Sequence, residues 1–198
     1  MNYAAVNAKI NAMGAKPMPE QISQAAISIC RYIPDMQQRD YIMAAARPSH
    51  TDSLHYYTAQ WKRLARLDKP NPVALRPALG AEIDLNNILW MYRLKKYHGI
   101  VGDETYGYLI PLRYRLSREA TRRMAEAATH EALLGELALS PYATDLGSLA
   151  GKPQAALTPE QALTKAVYHR YQTAARRYPN SLAAVMAYLH RQYKGAHP

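Results

Sequence analysis

Histidine and carboxylate side chains are the residues in this sequence that could do acid–base or metal chemistry. His130 and Glu131 begin like the helix of a zinc metalloprotease, which needs a second histidine four residues after the first. That position is Leu134, so two ligands cannot share one helix face. We interpret His130 and Glu131 as a pair on the solvent side. The remaining histidines have no ligand spacing: His50, His55, His98, His169, His190 and His197.

The single cysteine, Cys30, is the only side chain that could act as a thiol nucleophile. It cannot close an internal disulfide or supply a structural zinc site by itself, which argues against a stapled secreted scaffold. Arg31 is its only basic neighbour, and no histidine is near it in sequence. We therefore interpret Cys30 as a small apolar core residue in a reducing compartment.

Carboxylate pairs and glycine loops give no catalytic pattern. Glu82 and Asp84 are two residues apart, and side chains at that spacing do not face each other on a helix. Gly99 and Gly102 lack the lysine-serine pair and the preceding strand that a phosphate-binding loop needs. The sequence thus predicts no catalytic, cofactor-binding or metal-ligating residue, no small-molecule substrate and no enzyme activity of its own.

The charge balance indicates acidic partners without choosing among them. The 198 residues contain 25 Lys and Arg against 15 Asp and Glu, a net charge of +10. The basic residues are dispersed, which is typical of solvated helix faces. One alternative is an all-helical module that binds nucleic acid or protein through two basic stretches, Arg113–Arg123 and Arg170–Arg177. Phosphate contacts would make nucleic-acid affinity fall steeply with salt.

Composition places the chain among ordinary folded proteins. Hydrophobic residues make up 48% and charged residues 20%, which disfavours global disorder. There are 16 tyrosines and no phenylalanine, so buried aromatic rings will often bring a hydroxyl that needs a partner. No stretch reaches the roughly 18 consecutive apolar residues of a membrane span. We expect a soluble protein, or a peripheral one at most.

Proline and glycine divide the sequence into helix-length pieces, and period-two alternation of β-branched residues is nearly absent. The fold class is therefore all-α, with about eight to ten helices. The sequence predicts helices at residues 3–15, 19–32, 36–46, 51–67, 117–139, 158–178 and 181–193, with a short helical piece at 104–109. The stretch from Tyr142 to Leu157 is the best candidate for a flexible linker.

One further segment, Glu82 to Tyr97, is apolar around most of its circumference, as expected of a helix enclosed by neighbours. The preceding element begins with Asn71 as its cap and Pro72 at its first helical position, and its Pro77 and Gly80 predict a bend or break before Glu82. The acids would then lie at the positive end of the helix dipole and the bases at the negative end. Gly99, after His98, is interpreted as the stop. This segment is the predicted centre of the fold.

The same segment, together with the turn that follows it, resembles part of a known protein family. EIDLNNILWMYRLKKY followed by YLIPLRYRLS resembles the C-subunit family of V-type ATPases and archaeal-type ATP synthases, whose eukaryotic equivalent is the d subunit. That family repeats a helical unit of acid, asparagine before isoleucine, basic residues, an Ile-Pro turn and a new helix. The matching positions are Glu82, Asp84, Asn87-Ile88, Arg93, Lys95, Lys96, Ile110-Pro111 and Leu116-Ser117. The later Ser140 to Tyr142 is similar to the family's helix-ending turn.

The resemblance implies a funnel-like protein of related helical bundles with proline-bound turns and no cofactor. It would be a non-catalytic central-stalk subunit on the cytoplasmic face of the membrane. Its partners would be the rotor ring and the central shaft, and its work would be to pass torque for proton or sodium transport. Nucleic acid would not be a partner. The implied units are 1–68, abbreviated; 69–142, with the family motif; and 143–198, a linker with an incomplete unit.

The sequence departs from the family pattern at its end. The last unit stops after Tyr188-Leu189, where another acid and asparagine should follow. We therefore expect a short, truncated or divergent member. Such a unit would leave an apolar flank around Ala184, Val185 and Tyr188 uncovered, which predicts self-association or partner docking.

Overall fold

The computed structural model describes residues 3–13, 19–46, 53–145 and 159–196. Those residues form helices and connecting turns, with no strand among them, so the predicted all-α class is confirmed. The helices are α1 (Tyr3–Met13), α2 (Pro19–Cys30), α3 (Met36–Ala45), α4 (Ser53–Arg66), α5 (Asn71–Arg93), α6 (Arg118–Glu126), α7 (His130–Ala138), α8 (Pro159–Arg177) and α9 (Ala183–Ala196). A π-helical turn, Leu94–His98, and a 3₁₀ helix, Gly102–Tyr108, follow α5.

The chain divides into two compact units. Unit 1 comprises Met1–Leu79 and Val167–Pro198, and unit 2 comprises Gly80–Ala166. These are spatial units, whereas the division at residues 68 and 142 refers to sequence repeats of the family and stays a prediction.

In unit 1, α9 packs against α1, α2 and α3, and α3 packs against α4. The buried side chain of Asn71, at the start of α5, joins three of these elements. Its Oδ1 accepts a 2.8 Å hydrogen bond from the backbone N–H of Leu182, just before α9. Its Nδ2 lies 3.3 Å from the hydroxyl of Tyr3 on α1. One amide therefore ties the first, middle and last helices of the unit together.

The predicted uncovered flank on α9 is wrong at two of its three positions. Val185 is fully buried and Tyr188 is only 9% exposed, because α1, α2 and α3 cover this helix within unit 1. Ala184 is partly exposed and lines a groove with Tyr188, so self-association or partner docking there stays a prediction.

Of the predicted bend or break before Glu82, the break is also wrong, because α5 runs without interruption from Asn71 to Arg93. Pro77 lies inside α5 and withholds one N–H from the carbonyl of Val73. Val73 is 50% exposed, so water can replace that donor. Glu82 and Asp84 consequently lie in the middle of the helix, and their predicted interaction with its dipole does not apply. The predicted stop is confirmed: Gly99 is left-handed, with φ 67°, after the π-helical turn.

The helix predicted from residue 117 to 139 is two helices, α6 and α7. Ala127 leaves helical geometry with ψ 126°, and the Thr129 side chain accepts a 3.2 Å hydrogen bond from the N–H of Ala132. Thr129 thereby caps a new helix that folds back onto α6. Most of the predicted linker lies outside the described residues, but Tyr142 is 1% exposed and belongs to the core of unit 2.

Candidate functional site

The carboxylate of Asp84 accepts four hydrogen bonds inside unit 2. It is fully buried on α5, in the segment that the sequence predicted to be enclosed. Oδ1 accepts a bond from the N–H of Tyr114 at 2.9 Å, and Oδ2 accepts bonds from the N–H groups of Arg115 and Leu116 at 2.7 and 2.9 Å. The hydroxyl of Tyr142 donates a fourth bond, at 2.7 Å to Oδ2.

Asn87, one helical turn later on α5, holds the preceding part of the same segment. Its Oδ1 accepts a 2.8 Å hydrogen bond from the N–H of Ile110. Its Nδ2 donates to the carbonyl oxygens of Ile110 and Leu112 at 3.1 and 3.3 Å. Residues 84 and 87 share a helix face, so both side chains form hydrogen bonds to residues 110–116 from the same side of α5. We call Asp84, Asn87, residues 110–116 and Tyr142 the clasp.

The clasp exists because residues 109–117 cannot supply their own backbone partners. Pro111 prevents a helix from continuing, and the segment has no regular secondary structure. Buried N–H and C=O groups without partners are costly, and so is a buried carboxylate without donors. Four donors on Asp84 and three bonds to Asn87 satisfy both requirements at once.

Gly80 gives the clasp the space that it needs against α5. A Cβ atom built on this residue would lie 2.3 Å from Cγ of Tyr114 and 2.7 Å from its Cβ. Any side chain on residue 80 would therefore displace the ring of Tyr114. From the sequence, Gly80 indicated a helix break, whereas its role in the structure is close approach.

A comparison with models of known protein families shows to which family this chain belongs. The family model for the ATP synthase (C/AC39) subunit matches residues 53–194. The chain belongs to the ATP synthase C/AC39 subunit family. Comparisons with curated proteins and with solved structures found no match.

As a C/AC39 family member, the chain is a subunit of a V-type or archaeal-type ATP synthase, and its partners are other subunits of that complex. Some of the residues on which the resemblance rested belong to the clasp, namely Asp84, Asn87 and the Ile110-Pro111 turn. Asp84 and Asn87 were recognisable from the sequence as motif residues, but no contact was predicted for either. Their spacing of three residues before a proline-bound turn was the signal that could have predicted one.

Two lysines in the π-helical turn after α5 have different surroundings. Nζ of Lys95 is buried and donates a 2.7 Å hydrogen bond to the carbonyl of Ala125, in the last turn of α6. Burial lowers the pKa of Lys95 below its ordinary value. Nζ of Lys96 lies 3.0 Å from the hydroxyl of Tyr92, and that hydrogen bond raises the pKa of Lys96.

Ion pairs account for part of the basic stretch Arg113–Arg123. Arg122 pairs with Glu119 at 2.7 Å and with Glu126 at 2.8 Å, and Arg123 pairs with Glu136 at 2.8 Å. The hydrogen bond from Arg122 lowers the pKa of Glu119 and raises that of the guanidinium. Both pairs of Arg122 are largely exposed, so they contribute little to stability.

His130, Glu131 and Cys30 take no part in the hydrogen bonds of the clasp. His130 and Glu131 form a 2.9 Å pair on the surface, as predicted. Cys30 is buried in unit 1, and burial raises the pKa of its thiol. Within the described ranges, no three His, Cys, Asp or Glu side chains are grouped to hold a metal ion. No helix in those ranges combines the length and the apolar character that a bilayer crossing requires.

Proposed function

We propose that this chain is a non-catalytic central-stalk subunit of a V-type ATPase or archaeal-type ATP synthase. It would link the central shaft to the membrane rotor ring, on the cytoplasmic face of the membrane, and pass torque during proton or sodium transport. Membership of the C/AC39 family supports this role. The observation that carries it is the clasp, in which the polar motif residues bind the protein's own backbone.

A torque-transmitting part needs stiff connections more than reactive groups. In the clasp, both carboxylate oxygens of Asp84 and both polar atoms of Asn87 already have partners inside unit 2. Fully satisfied polar networks rigidify a core and specify one arrangement of its parts. Lys95 adds a third link of the same kind, from the π-helical turn after α5 to α6. These links make the central part of the family motif a rigid body.

The proposed role keeps the division into three sequence units at 1–68, 69–142 and 143–198, with the clasp in the second. We also expect no small-molecule substrate for a subunit with this role. Nucleic-acid binding through Arg113–Arg123 is less well supported, because Arg122 and Arg123 are ion-paired with neighbouring glutamates.

Reconstitution of the rotary complex tests the coupling role. Complexes assembled with and without this chain are compared in vesicles for ATP hydrolysis and for ATP-driven ion uptake. We expect hydrolysis to persist without the chain while ion uptake is lost, because torque no longer reaches the ring. Co-purification of the chain with ring and shaft subunits should accompany this result. Ion uptake that is unchanged without the chain would refute the proposal.

A further inference from the structure

The net positive charge of the chain is confined to unit 1. Unit 1 contains 15 of the 25 Lys and Arg residues but only 5 of the 15 Asp and Glu residues, so the whole charge of +10 lies there. Unit 2 contains ten of each and is neutral. No acid occurs after Glu160, and residues 161–198 include six Lys and Arg. A surface of one sign attracts partners of the opposite sign and directs their approach.

A groove in unit 1 concentrates this charge. It has a volume of about 320 Å³ and lies between the first turns of α5 and the last turns of α8. Its lining contains three basic side chains and no acid: Ala74, Pro77, Ala78, His169, Arg170, Thr173, Ala174, Arg177 and Tyr178.

The cations follow one stripe along α8. Arg170 and Arg177 are seven residues apart, with Thr173 and Ala174 between them on the same face. Seven residues correspond to about 10.5 Å of helix rise, which is too long for one carboxylate or phosphate to bridge with ease. Each guanidinium carries five N–H donors, so it can bind an incoming carboxylate while keeping partners within the chain.

The rest of the groove is small and apolar. Ala74 and Ala78 are buried on α5, and Ala174 faces them from α8. Small side chains let another helix approach closely. The ring of Tyr178 closes one end, with the guanidinium of Arg177 at 5.7 Å from its centre. An elongated ligand fits this shape better than a compact one.

We propose that this groove binds an acidic amphipathic helix of a partner protein. The helix would place two carboxylates two turns apart, opposite Arg170 and Arg177, and small apolar residues over Pro77 and Ala174, which are accessible in the lining. In recognition of this kind, the apolar contact supplies the affinity. The charged pairs determine where along the groove the helix binds. Helix binding is separate from the coupling role, because it concerns unit 1 and its test needs only the isolated full chain.

Fluorescence anisotropy with a synthetic helical peptide tests the proposal. The probe carries glutamates at positions i and i+7 and alanine or leucine at i+3 and i+4. We expect saturable binding to the full chain and a loss of about tenfold or more in affinity for R170Q/R177Q, since each tenfold step corresponds to about one charge-assisted contact. Ala174→Leu fills the groove without changing charge and should weaken binding as well.

The matched control is R176Q/R191Q, which removes the same charge from a different groove, lined by Arg176 of α8 and Arg191 of α9. We expect this variant to bind the probe nearly as well as the unaltered chain. Circular dichroism confirms that each variant is folded. No binding of the probe, an equal loss in both double variants, or equal binding of a peptide with scattered glutamates would overturn the proposal. Preferential binding of a single-stranded oligonucleotide at the same groove would also overturn it, in favour of nucleic acid.

Discussion

The hydroxyl of Tyr142 donates a 2.7 Å hydrogen bond to the carboxylate of Asp84, 58 residues earlier in the chain. Both residues are buried, and the same carboxylate holds three consecutive backbone N–H groups. The turn after α7 and the segment before α6 are thus tied to one atom pair on α5.

Removal of the Tyr142 hydroxyl should destabilise unit 2 without changing its fold. Tyr142→Phe keeps the ring and leaves Asp84 with three donors, so we expect a loss of about 1.5–3 kcal/mol in the free energy of unfolding. Urea unfolding measures this change. Tyr97→Phe is the control, since Tyr97 is 66% exposed and its substitution should have almost no effect. Equal effects of the two substitutions would contradict the role of Tyr142.

Asp84→Asn should cost more than Tyr142→Phe. An amide offers one acceptor oxygen, and its NH₂ group would meet backbone donors in place of an acceptor. We expect a loss of at least about 3 kcal/mol, comparable to breaking a buried charged network. Asp103→Asn at an exposed position is the matched control. A midpoint in urea that is unchanged for Asp84→Asn would show that the carboxylate is not needed.

Gly80→Ala should be destabilising although alanine favours helix. The new methyl group would meet the ring of Tyr114 at 2.3 Å, and overpacking of this kind costs about 1–3 kcal/mol. Gly135→Ala in α7 is the control, because nothing lies within 4 Å of its added Cβ and it should stabilise by up to about 1 kcal/mol. Thermal unfolding should therefore shift in opposite directions for the two variants. In a Tyr114→Gly background, which also removes the Cβ atom at 2.7 Å, the cost of Gly80→Ala should largely disappear.

Lys95 should make stability depend on alkaline pH. Burial lowers its pKa in the folded state below the ordinary value of 10.5, so between these two values the unfolded state binds more protons. The stability of the unaltered chain relative to Lys95→Met should therefore rise with pH across this window. Unfolding of both proteins at each pH cancels the titration of the tyrosines. A difference that stays constant or falls would contradict the burial of a charged Lys95.

Cys30 should be a slow-reacting thiol in the folded chain. Burial raises the pKa of its thiol, so the reactive thiolate is scarce and shielded near pH 8. We expect alkylation by iodoacetamide, followed by mass spectrometry, to be slow in buffer and fast in urea. Because the folded state raises the pKa of the Cys30 thiol above 9.0, the thiol ionises at a lower pH in the unfolded chain than in the folded chain. The contribution of Cys30 to the free energy of unfolding therefore falls as the pH rises above 9.0. Fast alkylation of the folded chain would contradict the packing of α2.

Helix positions were predictable because proline, glycine and capping residues act locally. The starts of α3, α4 and α8 and the stop at Gly99 follow from such residues within one or two positions. Where two local signals competed, tertiary contacts chose between them. Pro77 and Gly80 indicated a bend or break, yet α5 continues through both, and Gly80 packs under Tyr114. Thr129 was an adequate cap inside an apparently continuous helix, and α7 folds back from it onto α6.

The sequence by itself determined the all-α class, the enclosed central helix and the family motif, because helical periodicity and motif spacing are properties of neighbouring residues. Only the tertiary structure decided what the motif does. Asp84 and Asn87 contact backbone groups more than 20 residues away, and the burial that makes those bonds necessary arises only when the chain folds. The concentration of charge in unit 1 likewise follows from which segments pack together, since residues 1–79 and 167–198 are far apart in the chain.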